Sequence, residues 1–284
     1  MKKTTLLINC PDKKGIIATV TNFILAKKGN TTYIEQHVDR ELKEFFMRLE
    51  CEFDDDEEKL AKFKESFNEQ VAENYGMHWE LYNAEKKPSM ALFVSKYDHC
   101  LYDILGRYAS GELKVKIPII ISNHEDLRSI ADAFNIPFEY IPVTKDNKKQ
   151  AEDQQLALLK KHKVDFIVLA RYMQILSPDF VDKFPNKIIN IHHSFLPAFP
   201  GAKPYHSAYA RGVKIIGTTS HYVTSDLDEG PIIEQEVVRV SHIHNVKDFI
   251  LKGRDLEKIV LSRAIKHHIE RKVLVYNNKT VIFS

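Results

Sequence analysis

Residues 188–231 read IINIHHSFLPAFPGAKPYHSAYARGVKIIGTTSHYVTSDLDEGP, and the two ends of this stretch carry the argument. A short apolar run, 187–191, has the pattern of a buried strand and ends in a polar cluster. A second strand, 214–223, ends in an acidic loop. Asn190, His192 and Asp228 are thereby expected at one end of a sheet. His192 follows Asn190 by two residues, so on a strand both side chains point to one face. The Asn190 amide N–H suits a carbonyl oxygen gaining negative charge, and loss of such a donor typically costs about 3 kcal/mol of barrier. His192 exchanges protons near neutral pH, and a carboxylate beside an imidazole favours its charged form. No serine or cysteine in the trio is activated as a nucleophile, so the attacking atom is water or a substrate amine. On the residues alone the bland reading stands level with the catalytic one: a histidine at a strand end is often structural, and loop 226–229 also reads as a solvated turn. His192, His193 and His206 give only a weak zinc signal, with no carboxylate or cysteine at ligand spacing.

Upstream, strands near 90–95, 117–121, 138–141, 165–169 and 187–191 alternate with helical stretches at 98–109, 125–134 and 148–163. That alternation predicts an α/β fold, a doubly wound and mostly parallel sheet with helices on both faces, whose ligands bind at the carboxyl ends of strands. Strands 214–223 and 232–240 are expected to turn antiparallel across 226–231. A helix over 246–271 and a hairpin around Asn277-Asn278 close the chain. The short polar stretch NAEKKP, 83–88, reads as a linker between domains at 1–82 and 89–284. The first domain shows a β-α-β-β-α-β order: strands 4–10, 31–39, 44–53 and 77–81, a helix carrying Ile16, Val20 and Phe23, and a second carrying Leu60, Phe63, Phe67 and Val71. The acidic run 54–58 reads as a solvated helix start.

The length, 284 residues, accommodates two domains. A net charge of +2 gives no electrostatic pull toward nucleic acid or membrane. Cys10, Cys51 and Cys100 form neither a metal spacing nor a disulfide framework, which favours a reducing compartment. The opening MKKTTLLINC has too short an apolar core for a signal peptide, and no run reaches the roughly 18 apolar residues of a membrane span. The expected location is the cytoplasm.

Two resemblances sharpen this reading. The turn NCPDKKGII after the first strand, with the order of elements around it, resembles the ACT domain, a ferredoxin-like regulatory module. The resemblance implies a homo-oligomer and an amino-acid effector near Asn9, Asp12, Gly15 and Ile16; a purely structural pairing module is the alternative. Downstream, N-I-H-x-S-x-L-P followed by H-Y-V-T-x-x-L-D-x-G-P-I resembles the folate-dependent formyltransferases. That family's catalytic asparagine, histidine and aspartate fall on Asn190, His192 and Asp228. Its folate pocket is similar to Arg171, Tyr172, Met173, Gln174, Ile175 and Leu176 and to Val223, Thr224 and Ser225 in the later loop. The implied donor is 10-formyltetrahydrofolate, with no metal or further cofactor.

The acceptor is decided elsewhere. Glycinamide ribonucleotide formyltransferases carry a glycine-rich turn after the first strand that cradles a phosphate; here SKYDHCL, 95–101, has no glycine and carries an acid. Methionyl-tRNA formyltransferases carry a further RNA-binding domain, and this chain shows none. An ACT-like domain ahead of this catalytic domain resembles the formyltetrahydrofolate deformylases over nearly the whole length. The implied reaction takes 10-formyltetrahydrofolate and water to tetrahydrofolate and formate, which would feed purine biosynthesis and balance the one-carbon pool. The alternatives are a formyltransferase with an amine acceptor and a non-catalytic folate or amino-acid sensor.

Overall fold

The structure is a computed structural model that describes residues 2–53, 57–198 and 204–284. The chain divides into two compact units: 1–87 with 270–274 and 281–284, and 88–269 with 275–280. A continuous second domain over 89–284 was expected. The difference arises because short terminal segments bond to the first unit's own strands. Arg48 Nε donates to the Arg271 carbonyl at 3.0 Å, and Ser284 N donates to a Glu35 carboxylate oxygen at 2.9 Å.

The first unit runs β1 (Lys2–Pro11), α1 (Ile16–Ala26), β2 (Asn30–Asp39), β3 (Glu44–Phe53), α2 (Glu57–Phe67), a π-helical turn (Asn68–Ala72), α3 (Glu73–Tyr75) and β4 (His78–Asn83). Its antiparallel sheet has the order β2-β3-β1-β4. Gly15 opens α1 with φ 92°, a conformation glycine adopts without steric cost. One face of the sheet packs on the helices through Leu6, Ile8, Val20, Ile24, Met47 and Leu49, all buried. Phe67 is the aromatic hub, with ring centroids 5.4 Å from Phe23 and 4.6 Å from Trp79. The expected stripe is present in Phe63, Phe67 and Val71, while the Leu60 side chain and the acidic residues 54–56 lie outside what the structure describes.

The second unit runs β5 (Ser89–Val94), α4 (His99–Ala109), β6 (Lys116–Ser122), α5 (Arg128–Ala133), β7 (Phe138–Tyr140), α6 (Lys148–Lys161), β8 (Phe166–Leu169), α7 (Pro178–Val181), β9 (Ile188–His192), α8 (Pro204–Arg211), β10 (Ile215–Tyr222), β11 (Ile232–Arg239) and α9 (Val246–Ile269). The chain closes with β12 (Val273–Tyr276) and β13 (Lys279–Ile282), paired with each other. The seven-stranded sheet has the order β11-β10-β9-β8-β5-β6-β7. Strands β7, β6, β5, β8 and β9 are parallel, and β10 pairs antiparallel with both β9 and β11. The parallel strands are apolar along their length because helices cover both faces, as Met90–Val94 and Phe166–Leu169 show. From β5 the chain first builds outward to β6 and β7, then returns to place β8 on the other side of β5. This reversal opens a crevice at the carboxyl ends of β5 and β8, the usual ligand position in such sheets. The short helices α7 and α8 are not among the helices expected; each is eight residues or fewer, too short to show helical periodicity.

Candidate active site

Strand β9 brings Asn190 and His192 to the sheet edge of the crevice, on one face as their spacing predicts. The antiparallel register of β10 sets His221 directly opposite Asn190. Asp228 arrives from the loop joining β10 to β11. That loop is held against the end of β10: a Cβ added to Gly230 would sit 1.8 Å from the Tyr222 carbonyl oxygen, so no larger residue fits there. Asp228 itself has φ 58°, a left-handed backbone that aspartate tolerates better than most residues.

Asp228 Oδ1 lies 3.2 Å from His192 Nδ1 and 3.7 Å from His221 Nε2. The interaction with His192 first, and that with His221 second, hold the Asp228 carboxyl well below the usual carboxylate range. An ionised carboxylate only accepts hydrogen bonds, so the neutral His192 ring carries its proton on Nδ1. His192 Nε2 is then a free base; it is buried and meets no hydrogen-bond partner among the described residues. His221 is oriented by a different partner. Its Nδ1–H donates to the Tyr222 carbonyl at 2.8 Å, which leaves Nε2 as an acceptor for Asn190 Nδ2, 3.2 Å away. At 3.7 Å His221 Nε2 is beyond hydrogen-bond reach of Asp228, so its pull on that carboxyl is one of charge, exerted when the ring is protonated. One Asn190 amide hydrogen is therefore engaged by His221, and the other remains to donate. The cluster thus combines a base at His192 Nε2, a carboxylate that stabilises the imidazolium form, and an oriented amide donor.

The segment after β8 forms the facing wall. Met173, Ile175 and Leu227 expose large apolar surfaces, and Gln174 is half-buried between the first two. Tyr172 and Leu176 instead turn into the core; Tyr172 packs edge-on against Phe93 and its hydroxyl accepts from Gln155 Nε2 at 3.0 Å. Their side chains are committed to anchoring, and only their backbone is available to a ligand. The end of the segment is pinned to α6, where Ser177 N donates to Glu152 at 2.8 Å and the Ser177 hydroxyl donates to the same carboxylate. Its middle is pinned to the residue after β5 by Met173 N, which donates to Ser95 Oγ at 2.9 Å. Arg171 has φ 63° and turns its guanidinium inward. On the other side Val223 packs on the core, the Thr224 hydroxyl donates to the Asp226 carbonyl at 3.1 Å, and Ser225 is exposed.

Sequence reasoning gave no role to His221, Glu257, His99 or Tyr205. Glu257, on α9, is 1% exposed and takes His99 Nε2 at 2.8 Å, Tyr205 Oη at 2.7 Å and Arg171 Nε at 3.4 Å. His99, Cys100 and Glu257 are close enough to share a metal ion. The donor set reads instead as an ion-pair cluster, since the Arg171 guanidinium competes for the same carboxylate and burial pushes the Cys100 thiol well up. Burial likewise pushes the Cys10 and Cys51 thiols to about 11, so neither is a nucleophile at neutral pH.

In the first unit, Asn9 lies half-buried on β1, Asp12 and Gly15 are exposed in the turn, and Ile16 is buried in the core. Asp12 N donates to the Lys43 carbonyl at 2.8 Å, which ties the turn to the β2–β3 connection.

Comparison with known proteins follows the two units. Residues 89–265 match the formyl transferase family and residues 4–68 the ACT domain family. The chain is 54% identical over 280 residues to a formyltetrahydrofolate deformylase of Synechocystis, spanning 99% of this chain and 98% of that one. The chain belongs to the formyltetrahydrofolate deformylase family. The deformylase of Bacillus subtilis is 48% identical over 283 residues, 99% of this chain and 94% of its own. The crystal structure of a deformylase from Pseudomonas syringae superposes with a TM-score of 0.95 at 45% identity, covering 100% of this chain and 95% of that one. A glycinamide ribonucleotide transformylase from Symbiobacterium toebii is similar to only 70% of this chain, at 27% identity and a TM-score of 0.66, while 95% of that chain is covered. The deformylase likeness thus spans the whole chain, the ACT unit included, whereas the transformylase likeness covers 70% of it.

Proposed function

We propose that the cluster Asn190, His192 and Asp228 carries out the hydrolysis of 10-formyltetrahydrofolate to tetrahydrofolate and formate, the activity of a formyltetrahydrofolate deformylase. The observation that carries the assignment is the near-complete alignment with deformylases across both units. The chemistry at the cluster fits it. His192 Nε2 takes a proton from water as the water oxygen bonds to the formyl carbon, and Asp228 stabilises the resulting imidazolium. The free N–H of Asn190 and the imidazolium N–H hold the tetrahedral oxyanion. Collapse breaks the bond from carbon to N10, His192 returns its proton to N10, and formic acid departs and releases its remaining proton to solvent as formate. The pterin lies along the 170–176 segment and the 223–225 turn, taking backbone hydrogen bonds from the first and apolar cover from Met173, Ile175 and Leu227.

The acceptor is water. The turn after β5 carries Tyr97, Asp98 and His99 in place of a phosphate cradle, and His99 is bonded to Glu257. The measurement is formate and tetrahydrofolate release from 10-formyltetrahydrofolate with no amine present. Equimolar release is expected, unchanged after dialysis against a chelator because every proton is routed through protein side chains. Turnover that begins only when an amine is added points to the transferase, and tight folate binding without turnover points to a sensor.

The ACT unit supports two further assignments: self-association, and an amino-acid effector bound near Asn9, Asp12, Gly15 and Ile16. β2 is an edge strand, and Tyr33 and Ile34 on it expose apolar surface. Sedimentation equilibrium and rate measurements with each of the common amino acids in turn check both; a monomer indifferent to all of them removes both. No helix is long and apolar enough to cross a membrane among the described residues. Three free, buried cysteines fit the cytoplasm.

A further inference from the structure

Glu257 has no part in the chemistry above, yet a buried carboxylate is costly and gives little net stability over an apolar side chain of similar volume. Burial pushes its carboxyl up, but the hydrogen bond from His99 and the charge of Arg171 outweigh this and hold it ionised. Its third partner is Tyr205 on α8. Burial and the neighbouring Glu257 push the Tyr205 phenol far above its ordinary value, so it remains the donor to Glu257 Oε1. Helix α9 is shaped for this contact. Gly253 lies one turn before Glu257 on the same face, and a Cβ there would sit 2.1 Å from Tyr205 Oη. Glycine makes the room and glutamate accepts the hydrogen bond.

The Tyr205 ring continues toward the candidate active site. It lies 6.1 Å, centroid to centroid, from His193, whose ring lies 5.2 Å from that of His192. The Nδ1 of His192 is fixed by Asp228, but the ring still rocks about that contact unless something backs it. Taking the hydrolase reading as its basis, we infer that Glu257 and Tyr205 are positioning residues: anchored by Gly253 and Glu257, Tyr205 backs His193, and His193 backs the His192 ring so that Nε2 stays aimed at the attacking water. A second arm of the same carboxylate, the Arg171 guanidinium, holds the start of the 170–176 wall.

The test compares full-length wild type with Tyr205→Phe, Glu257→Gln and the double variant, measuring kcat and KM for 10-formyltetrahydrofolate and the thermal midpoint. Tyr205→Phe removes one hydrogen bond and leaves the Arg171 arm intact. It is expected to lower kcat on the order of tenfold with KM within about twofold, the signature of a misaimed catalytic group. Glu257→Gln is expected to lower kcat at least as far and also to raise KM through Arg171. The double variant should have the kcat of Glu257→Gln alone, because both changes cut one path. A Tyr205→Phe enzyme with wild-type kcat, or a double variant whose loss is the product of the single losses, overturns the inference. Should Glu257→Gln fail to fold, Tyr205→Phe decides alone. A wild type that releases no formate breaks the hydrolase reading, whereas an active wild type beside an equally active Tyr205→Phe breaks only this inference.

Discussion

The two units bury different things. In the first, the sheet and helices enclose an apolar core, and among its few buried polar side chains Thr4 Oγ1 donates to the Cys51 carbonyl at 3.2 Å and Arg48 Nε to the Arg271 carbonyl at 3.0 Å. In the second, the floor of the sheet is equally apolar, but its carboxyl-terminal mouth buries Ser95, Asn123, Arg171, His192, His221 and Glu257. Those groups are costly to desolvate, and most are held by hydrogen bonds or ion pairs to their neighbours, while His192 Nε2 and Arg171 Nε meet no hydrogen-bond partner among the described residues. The first arrangement is what stability alone would select. The second sacrifices stability to hold charge and proton carriers in fixed orientation, as functional sites generally do. Substitutions in the two units should therefore uncouple: the mouth should lose rate before stability, and the first core should lose stability before rate.

The strongest test of that contrast is Asp228→Asn. The amide cannot stabilise an imidazolium, so kcat should fall about a thousandfold, a far larger effect than the accompanying change in stability. A variant that keeps the wild-type rate removes Asp228 from the reaction. The mirror image is Phe67→Ala in the first core. It should cost about 3 kcal/mol of unfolding free energy in denaturant titration. The kcat per folded molecule should stay the same, and a large drop in kcat would show that the two units are not energetically separable in this way. The smallest effect is in pH. The folded-state Asp228 carboxyl is held below its ordinary value of 3.8, so its contribution to stability is fully present above that value. The contribution is lost as pH falls through the depressed folded value. The stability difference between wild type and Asp228→Asn should thus be flat from neutral pH down to about 5 and narrow only below 3.8. A difference that narrows near neutrality would assign the titration to another group.

Much of this was readable in advance. The strand limits expected at 44–53 and 232–240 match β3 and β11 to within a residue, because each is bounded by charged or turn-forming residues and filled with β-branched or aromatic ones. The pairing of Asn190 with His192 followed from the two-residue period of a strand. Two features resisted. His221 stands in the quoted motif, but its place opposite Asn190 depends on the register of β9 against β10, which no local pattern encodes. Among the acids of loop 226–229, the inward turn of Asp228 depends on its left-handed backbone and on Gly230 lying against Tyr222.

The sequence by itself determined the order of the strands and long helices and the presence of an amide, an imidazole and a carboxylate near one strand end, because periodicity and turn chemistry act over a few residues. The tertiary structure alone decided which nitrogen of His192 is free, which hydrogen of Asn190 is engaged, and that Glu257 gathers His99, Arg171 and Tyr205 into one buried cluster. Those outcomes are set by hydrogen bonds between residues separated by dozens of positions in the chain, and only the packed fold brings such partners within 3 to 4 Å.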